Sequence, residues 1–291
     1  MGHWDSAASA PDGDPMALTV NTNMASMNAL NNLNKTNRSL SSTLGRVSSG
    51  LRINQASDDA AGLGVAENLR AAQRSLKAAQ RNTNDGVSVV QVAEAATAEV
   101  GNILKRMREL AVQSASKTLD NGERSYIQDE FLQLSGEVER IAQVTEFNGV
   151  ALGNSVNPTL DVQVGINNTG NDRITITLGD LQAVSLNVDT GSVDLSTPAT
   201  AAAALTTLDA SLDTVNGYRS DYGATSNRLQ SAMRNLENYT QNLAGAESSI
   251  RDADFAFEAA EMSKFQIMQQ AGVSVLGQAN SLSQGAIRLI G

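Results

Sequence analysis

Apolar residues recur at steps of three and four through Val20, Met24, Met27, Leu30, Leu33, Leu40, Leu44, Val47 and Leu51. Such spacing places them on one face of a helix. The other face is mostly Asn and Ser, with Lys35, Arg38 and Arg46 as its charges, a composition of weak helix propensity. A helix of this kind is marginal alone and needs a partner to bury its stripe. Two readings fit it: an ordinary amphipathic core helix, or a segment that is mobile alone and orders on association.

The pattern breaks over SSGLRINQASDDAAG, Ser48 to Gly62. Beyond it Leu69, Ala72, Leu76, Ala79, Thr83, Val87, Val90, Ala93, Thr97, Val100, Leu104, Met107 and Ala111 keep a near-heptad step, which indicates coiled-coil packing. At 1.5 Å per residue, some fifty residues would make a rod of roughly 75 Å. Asp120-Asn121-Gly122 reads as a turn. A third helix carries Ile127, Phe131, Leu134, Val138 and Ile141 inward and ends near Asn148-Gly149.

The period then shortens to two. Leu160, Val162 and Val164 alternate with polar residues, as do Ile174, Ile176 and Leu178, which predicts a hairpin over about 158–190. A loop leads to Pro198, and Leu205, Leu208, Leu212, Val215, Tyr222, Leu229, Leu236, Leu243 and Ile250 restore the heptad. It continues through Phe255, Met262, Phe265, Leu276, Leu282 and Leu289. The expected fold is mainly α, a long antiparallel coiled-coil or helical bundle with a small β-hairpin insertion.

Composition narrows the possibilities. Aromatic residues make up only 3% of the 291 residues, which fits thin helical seams better than a compact core. The formal net charge of -10 argues against a nucleic-acid partner, which needs a basic face. There is no cysteine, so disulfides and thiolate metal sites are excluded. No run approaches the roughly 18 apolar residues of a membrane span, and no cleavable signal peptide is visible. Residues 1–15 hold the only His and the only Trp and lack helical period. They read as an expression tag, with Met16 the natural start, or as a native acidic extension.

Catalysis finds little support. With His3 set aside, no His-based triad or paired-His zinc motif can be built. Gly62-x-Gly64 lacks the third glycine of a dinucleotide fingerprint. Asp58-Asp59 and Asp252-x-Asp254 are the best carboxylate clusters, and acidic residues at a helix start usually answer the helix dipole. No catalytic, cofactor-binding or metal-binding residue is expected.

Several longer stretches carry a resemblance: MALTVNTNMASMNALNNLN from Met16, SSGLRINQASDDAAGLGVAENLR from Ser48, KRMRELAVQSA from Lys105, and FNGV from Phe147. SDYGATSNRLQSA from Ser220 and IRDADFAFEAAEMSKFQIMQQAGVSVLGQAN from Ile250 continue it. Together they resemble bacterial flagellin, in the short form without outer domains. The resemblance implies an inner-tube coiled coil of residues 16–56 with 254–291, and an outer helical domain of 57–253 that carries the hairpin. Ser48, Gly50, Asp58 and Asp59 would belong to the spoke between them.

The implied function is that of a structural subunit polymerising into the flagellar filament for motility. Its tube-forming stripes would be Met24, Met27, Leu30, Leu33, Leu40 and Leu44 with Phe265, Leu276, Leu282 and Leu289. Head-to-tail contacts that never close into a ring generate such an open helix. The resemblance also implies an extracellular, flagellar location reached by type III export without a cleaved signal. Implied partners are further copies of the chain, a flagellar secretion chaperone, the filament cap and the hook-junction proteins. Innate immune recognition by Toll-like receptor 5 would use Arg106, Arg108, Glu109, Leu110 and Glu130. Thr225 departs from the apolar residue often found in recognised flagellins. Ile287, Leu289 and Ile290 resemble the tail sensed by inflammasome receptors, with Gly291 a departure. A hook-filament junction protein and a secreted coiled-coil adhesin are the rival readings; growth of long tubes by the protein alone separates flagellin from both.

Overall fold

The computed structural model describes residues 22–154 and 158–290, with side chains as far as Ser281. Residues 1–15, Met16 and Val20 therefore lie outside the described residues, as do Gly291 and the side chains of Leu282, Ile287, Leu289 and Ile290. The described chain contains five α-helices: α1 Met24–Ser49, α2 Ala60–Ser114, α3 Asn121–Val144, α4 Pro198–Arg251 and α5 Phe255–Ile290. Short strands fall between α3 and α4: β1 Glu146–Phe147, β2 Val150–Ala151, β3 Thr159–Gln163 and β4 Arg173–Thr177. The chain clusters into two compact units, one running to Ala66 and resuming at Glu247, the other spanning Glu67–Ala246.

In the first unit α1 and α5 pair antiparallel. The Asn23 side chain caps α1 by accepting from Ser26 N at 3.1 Å, and its amide donates to the Ala279 carbonyl at 2.9 Å. Farther along, Gln269 donates to Asn37 Oδ1 at 2.9 Å, and Arg46 meets Glu258 at 3.3 Å. These three contacts fix the register. The α1 residues turned toward α5 are Ser26, Ala29, Leu33, Thr36, Leu40, Thr43 and Val47, a regular heptad of buried or half-buried positions. Facing them are Glu258, Met262, Phe265, Gln269, Gly272, Leu276 and Ala279. Gly272 lets the helices come close there: a Cβ would lie 3.2 Å from Leu33 Cδ1, so that side chain would have to shift slightly.

The turn after α1 obeys ordinary helix-end chemistry. Gly50 takes φ +71°, a left-handed conformation that glycine adopts without steric cost, and its N–H donates to Arg46 O at 2.8 Å. Leu51 then bridges antiparallel to Asp252, with Arg52 N donating to Arg251 O at 2.7 Å and Ala253 N to Gly50 O at 3.0 Å.

In the second unit the α2 seam runs through Leu76, Ala79, Thr83, Gly86, Val90, Ala93, Thr97, Val100, Leu104, Met107, Ala111 and Ser114, all buried. The expected heptad holds with one exchange: Gly86, not Val87, occupies the seam. Its missing side chain admits β3, because a Cβ would lie 3.0 Å from Val162 Cγ2. The seam hydroxyls satisfy themselves, Thr83 donating to Ala79 O and Thr97 to Ala93 O, both at 2.7 Å.

α3 starts with a capping box, Asp120 accepting from Glu123 N at 2.8 Å while Glu123 accepts from Asp120 N at 3.2 Å. It ends at Val144, earlier than Asn148-Gly149. That dipeptide instead forms the two-residue turn between β1 and β2, with φ of 50° and 79°, the geometry for which Asn-Gly is favoured. The main hairpin pairs Thr159 with Thr177 through Gln163 with Arg173. It is therefore shorter than the expected 158–190. Once the alternation stops at Leu178, residues 178–197 form a loop that buries Leu181, Leu186, Val188, Val193 and Leu195 over α2, α3 and α4. Polar anchors hold it: Leu195 N donates to Gln128 Oε1 at 2.7 Å, Ala183 N to Glu139 Oε2 at 3.0 Å and Ser211 Oγ to Leu186 O at 2.6 Å.

The connection from α2 to α3 is held by Arg124, only 4% exposed. Its guanidinium donates to the carbonyls of Ser114, Ser116 at 2.7 Å and Leu119 at 2.6 Å. It thus answers the last carbonyl of α2, at the negative end of the helix dipole, and two carbonyls of the α2–α3 connection. Arg124→Ala strands those carbonyls and should lower the unfolding free energy by about 2 kcal/mol. Urea unfolding followed by circular dichroism measures this; an unchanged midpoint would show that water replaces the guanidinium.

Candidate functional site

The paired carboxylates are structural. Asp58 Oδ2 accepts from Asn54 N at 3.1 Å and Gln55 N at 3.0 Å, closing the turn ahead of α2. Those backbone donors, Gln55 first, hold its carboxyl below the ordinary Asp range. Asp59 caps α2, accepting from Gly62 N at 2.8 Å. A Cβ on Gly62 would collide with the Asp59 carboxylate and come within 2.9 Å of Ile53 Cδ1. Asp254 caps α5 by accepting from Ala256 N at 2.9 Å and Phe257 N at 3.2 Å, while Asp252 accepts from Ser248 Oγ at 2.6 Å. Ser48 lies exposed in the last turn of α1. Each member of these clusters is committed to holding chain ends and turns. Among the described residues no group of His, Cys, Asp or Glu gathers as a metal site, and no helix is long and apolar enough to cross a membrane.

The assembly stripe divides in two. Leu33 and Leu40 of α1, and Phe265 and Leu276 of α5, lie in the seam inside the unit. Met24, Met27, Leu30 and Leu44 point outward, with Met24 59% and Leu44 55% exposed. Among the described side chains of α5 the exposed large apolar ones are Phe255, Phe257, Ile267, Met268, Val273 and Val275, all but Phe255 outside the expected stripe. A single-stripe reading of the sequence missed them. The signal was present, because VSVL over Val273–Leu276 puts apolar residues on more than one helix face. Arg46 was expected on the polar face. It sits instead at the edge of the seam, paired with Glu258, whose side chain is 6% exposed.

The five expected receptor residues separate by side. Arg106 and Glu130, from α2 and α3, meet through Nε at 3.0 Å and Nη2 at 2.8 Å, and Arg106 Nη1 reaches Glu109 at 3.1 Å. The Glu130 hydrogen bond, then that of Glu109, raises the Arg106 pKa. Arg108 turns to α4 and grips Asp209 bidentately, Nε to Oδ1 at 2.6 Å and Nη2 to Oδ2 at 3.3 Å. Asp209 had no sequence signal, since its role depends on tertiary register. Leu110 corrects the expected set: it is 1% exposed and packs in the core with Met107 and Phe131, so it supports the patch from beneath and presents nothing to a docking partner.

Comparison with known proteins finds relatives along nearly the whole chain. A profile of the bacterial flagellin N-terminal helical region matches residues 20–158, and one of the C-terminal helical region matches residues 205–290. A flagellin of Halalkalibacterium halodurans is 40% identical over 273 residues, covering 94% of this chain and 100% of that protein. The flagellar filament 33 kDa core protein of Treponema phagedenis is 37% identical over 287 residues, with 94% and 100% covered. The crystal structure of Bacillus cereus flagellin is 31% identical, covers 57% of this chain and 94% of its own, and superposes with a TM-score of 0.48. By these matches at both ends and along nearly the whole chain, the protein belongs to the flagellin family, the structural subunits that polymerise into the bacterial flagellar filament for motility.

Proposed function

We infer that self-assembly runs through the outward faces of α1 and α5, and that residues 16–56 with 254–291 form the inner tube while 57–253 form the outer helical layer. The observation that carries this is the split of the apolar stripe. The intramolecular seam leaves even its large apolar residues, Leu33, Leu40, Phe265 and Leu276 among them, half-buried, while Met24, Met27, Leu30, Leu44, Ile267, Met268, Val273 and Val275 stay in water. Exposed apolar surface of this extent on a soluble subunit marks a protein interaction site. Each such side chain buried against a neighbouring copy contributes roughly 2 kcal/mol. Ser48, Gly50, Asp58 and Asp59 form the linker at which α1 ends and α2 begins.

The same exposure gives a reason for the other partners. A secretion chaperone would cover the apolar α5 face before export through the type III route, which needs no cleaved signal. The filament cap and hook-junction proteins would meet the same surfaces at the two ends of a filament, where the next copy is absent. The outcome is an extracellular polymer.

A second reading, as a ligand of Toll-like receptor 5, rests on the Arg106–Glu130–Glu109 cluster. It presents three charges preorganised on adjoining helices, with Arg108 on the α4 side held by Asp209. Thr225 lies nearly buried in α4, so its departure from the apolar family residue acts through packing.

Two measurements test these readings. The double variant Met27→Ser, Leu30→Ser removes only exposed side chains, so its unfolding free energy should stay within about 0.5 kcal/mol of the parent, while seeded filament growth falls more than tenfold, on the scale of about 1.4 kcal/mol per factor of ten. Normal growth would sink the assembly surface. Separately, Arg106→Ala should weaken receptor signalling without changing helicity; equal potency in a reporter-cell titration removes that residue from the receptor site.

A further inference from the structure

The β3–β4 hairpin is a two-stranded ribbon, and its two free edges border grooves of opposite charge. On the β3 side lies a groove of about 360 Å³ between α2, the β1–β2 turn and β3. Its floor is apolar, with Val89, Phe147 and Leu160, and its carboxylates are Asp85 and Asp161. Asp161 accepts from Thr175 Oγ1 at 2.6 Å and stays exposed. On the β4 side lies a groove of about 500 Å³ between the hairpin turn and α4, which carries Arg173 and Arg228. Arg173 is braced by Gln163 at 3.1 Å and Asn168 at 2.7 Å. Asp172 on the same side is half-buried and accepts from Thr169 Oγ1 at 2.6 Å, leaving the groove with two arginines to one carboxylate. Ile166 and Tyr239 add exposed apolar surface to this basic edge.

Neither Asp85 nor Arg228 has a hydrogen-bond or ion-pair partner among the described residues, although both are exposed. Opposite charges left unpaired on two different patches of one subunit suit a heterologous contact. One self-complementary patch would close a dimer, whereas two distinct patches propagate without end. The geometry points to such a contact: in the filament, the basic α4 and hairpin-turn edge of one copy, led by Arg228 and Arg173, seats against the acidic Asp85–Asp161 groove of the next copy. Ile166 and Tyr239 then cover the apolar groove floor while the charges pair around them. The inference rests on the self-polymerisation stated above and adds which surfaces of the second unit meet. Rim charges of this kind steer encounter and fix register more than they add affinity, so their removal should act on the growth rate.

Charge reversal tests the contact in the full chain. Asp85→Arg and Arg228→Asp should each keep the parent's circular dichroism and urea midpoint, because neither residue has an internal partner. Each should slow elongation from parent filament seeds by about tenfold at low salt. An equimolar mixture of the two variants can alternate copies and pair every edge with its complement. Both this mixture and the double reversal should therefore recover most of the parent rate. Normal elongation by either single variant would overturn the contact while leaving filament assembly itself intact. Slow elongation without rescue in the mixture or the double reversal would overturn it too, as would sedimentation of the parent as a closed dimer held by these residues. Failure of the parent itself to elongate would instead strike at the polymerisation on which the contact rests, and the contact would fall with it.

Discussion

The α1–α5 seam constrains everything else in the first unit. The facing positions mix small or polar residues, Ser26, Ala29, Thr36 and Thr43 against Gly272 and Ala279, with larger apolar ones. Those larger ones, Leu33, Leu40 and Val47 against Met262, Phe265 and Leu276, are only half-buried. Hydrophobic stabilisation scales with area removed from water, so this pair holds itself weakly. Its specificity comes from polar contacts instead. Asn23 with the Ala279 carbonyl, Asn37 with Gln269 and Arg46 with Glu258 define one register, much as a single polar position does in a coiled coil. Glu258 in particular is buried, and a buried carboxylate is tolerated only with its cation beside it. The weak seam and the exposed Met24, Met27, Leu30 and Val273 are two sides of one arrangement: apolar area kept out of the monomer is available to the polymer.

The second unit follows the opposite rule. From Leu76 to Ser114 the α2 heptad is buried at every seam position. α4 answers with Ala201, Ala204, Leu208, Ser211, Val215, Tyr222, Leu229 and Leu236. The one large aromatic in that row, Tyr222, is 1% exposed. Its hydroxyl accepts from Gly179 N at 2.8 Å, and burial raises its pKa. Gly179 in turn must be glycine, since a Cβ would sit 2.6 Å from Tyr218 Cγ. A unit closed in this way keeps its central seam out of water within one copy. Its assembly contacts can therefore be charged rims and grooves rather than missing core, and the free Asp85 and Arg228 fit that pattern.

The helical periods were legible because period and burial are coupled wherever a seam is rich in large apolar residues, as in α2 and α3. They misled where that coupling fails. In α1 large apolar residues lie on both sides, Leu33 and Leu40 in the seam and Met24, Met27, Leu30 and Leu44 outside it, so hydrophobicity alone chose a stripe that mixes two surfaces. Arg46 was assigned to solvent for the same reason: a charge in a seam is visible only once Glu258 is placed opposite it. Gly86 was passed over for Val87 because a glycine carries no hydrophobic signal, although its lack of a side chain admits Val162. Arg108 with Asp209, and Arg124 with its three carbonyls, depend on partners distant in sequence or on loop geometry. No local pattern encodes either.

The stretch from Ser48 to Gly62 shows why adjacent carboxylates are poor evidence of chemistry. A general acid or base needs a carboxyl whose proton is free to move and whose pKa lies near the working pH. Asp58 has the reverse, two backbone N–H donors on one oxygen that favour the ionised form. Asp59 is spent on the first turn of α2, with Gly62 N as donor and no room for a Cβ beside it. Gly50 ends α1 with a left-handed cap, and the chain leaves it by pairing Leu51 with Asp252. Three backbone requirements thus explain four polar or special residues within a dozen positions. What makes this stretch so recognisable in the sequence is that one helix must stop, one turn must close and a longer helix must start there, each with its own capping group.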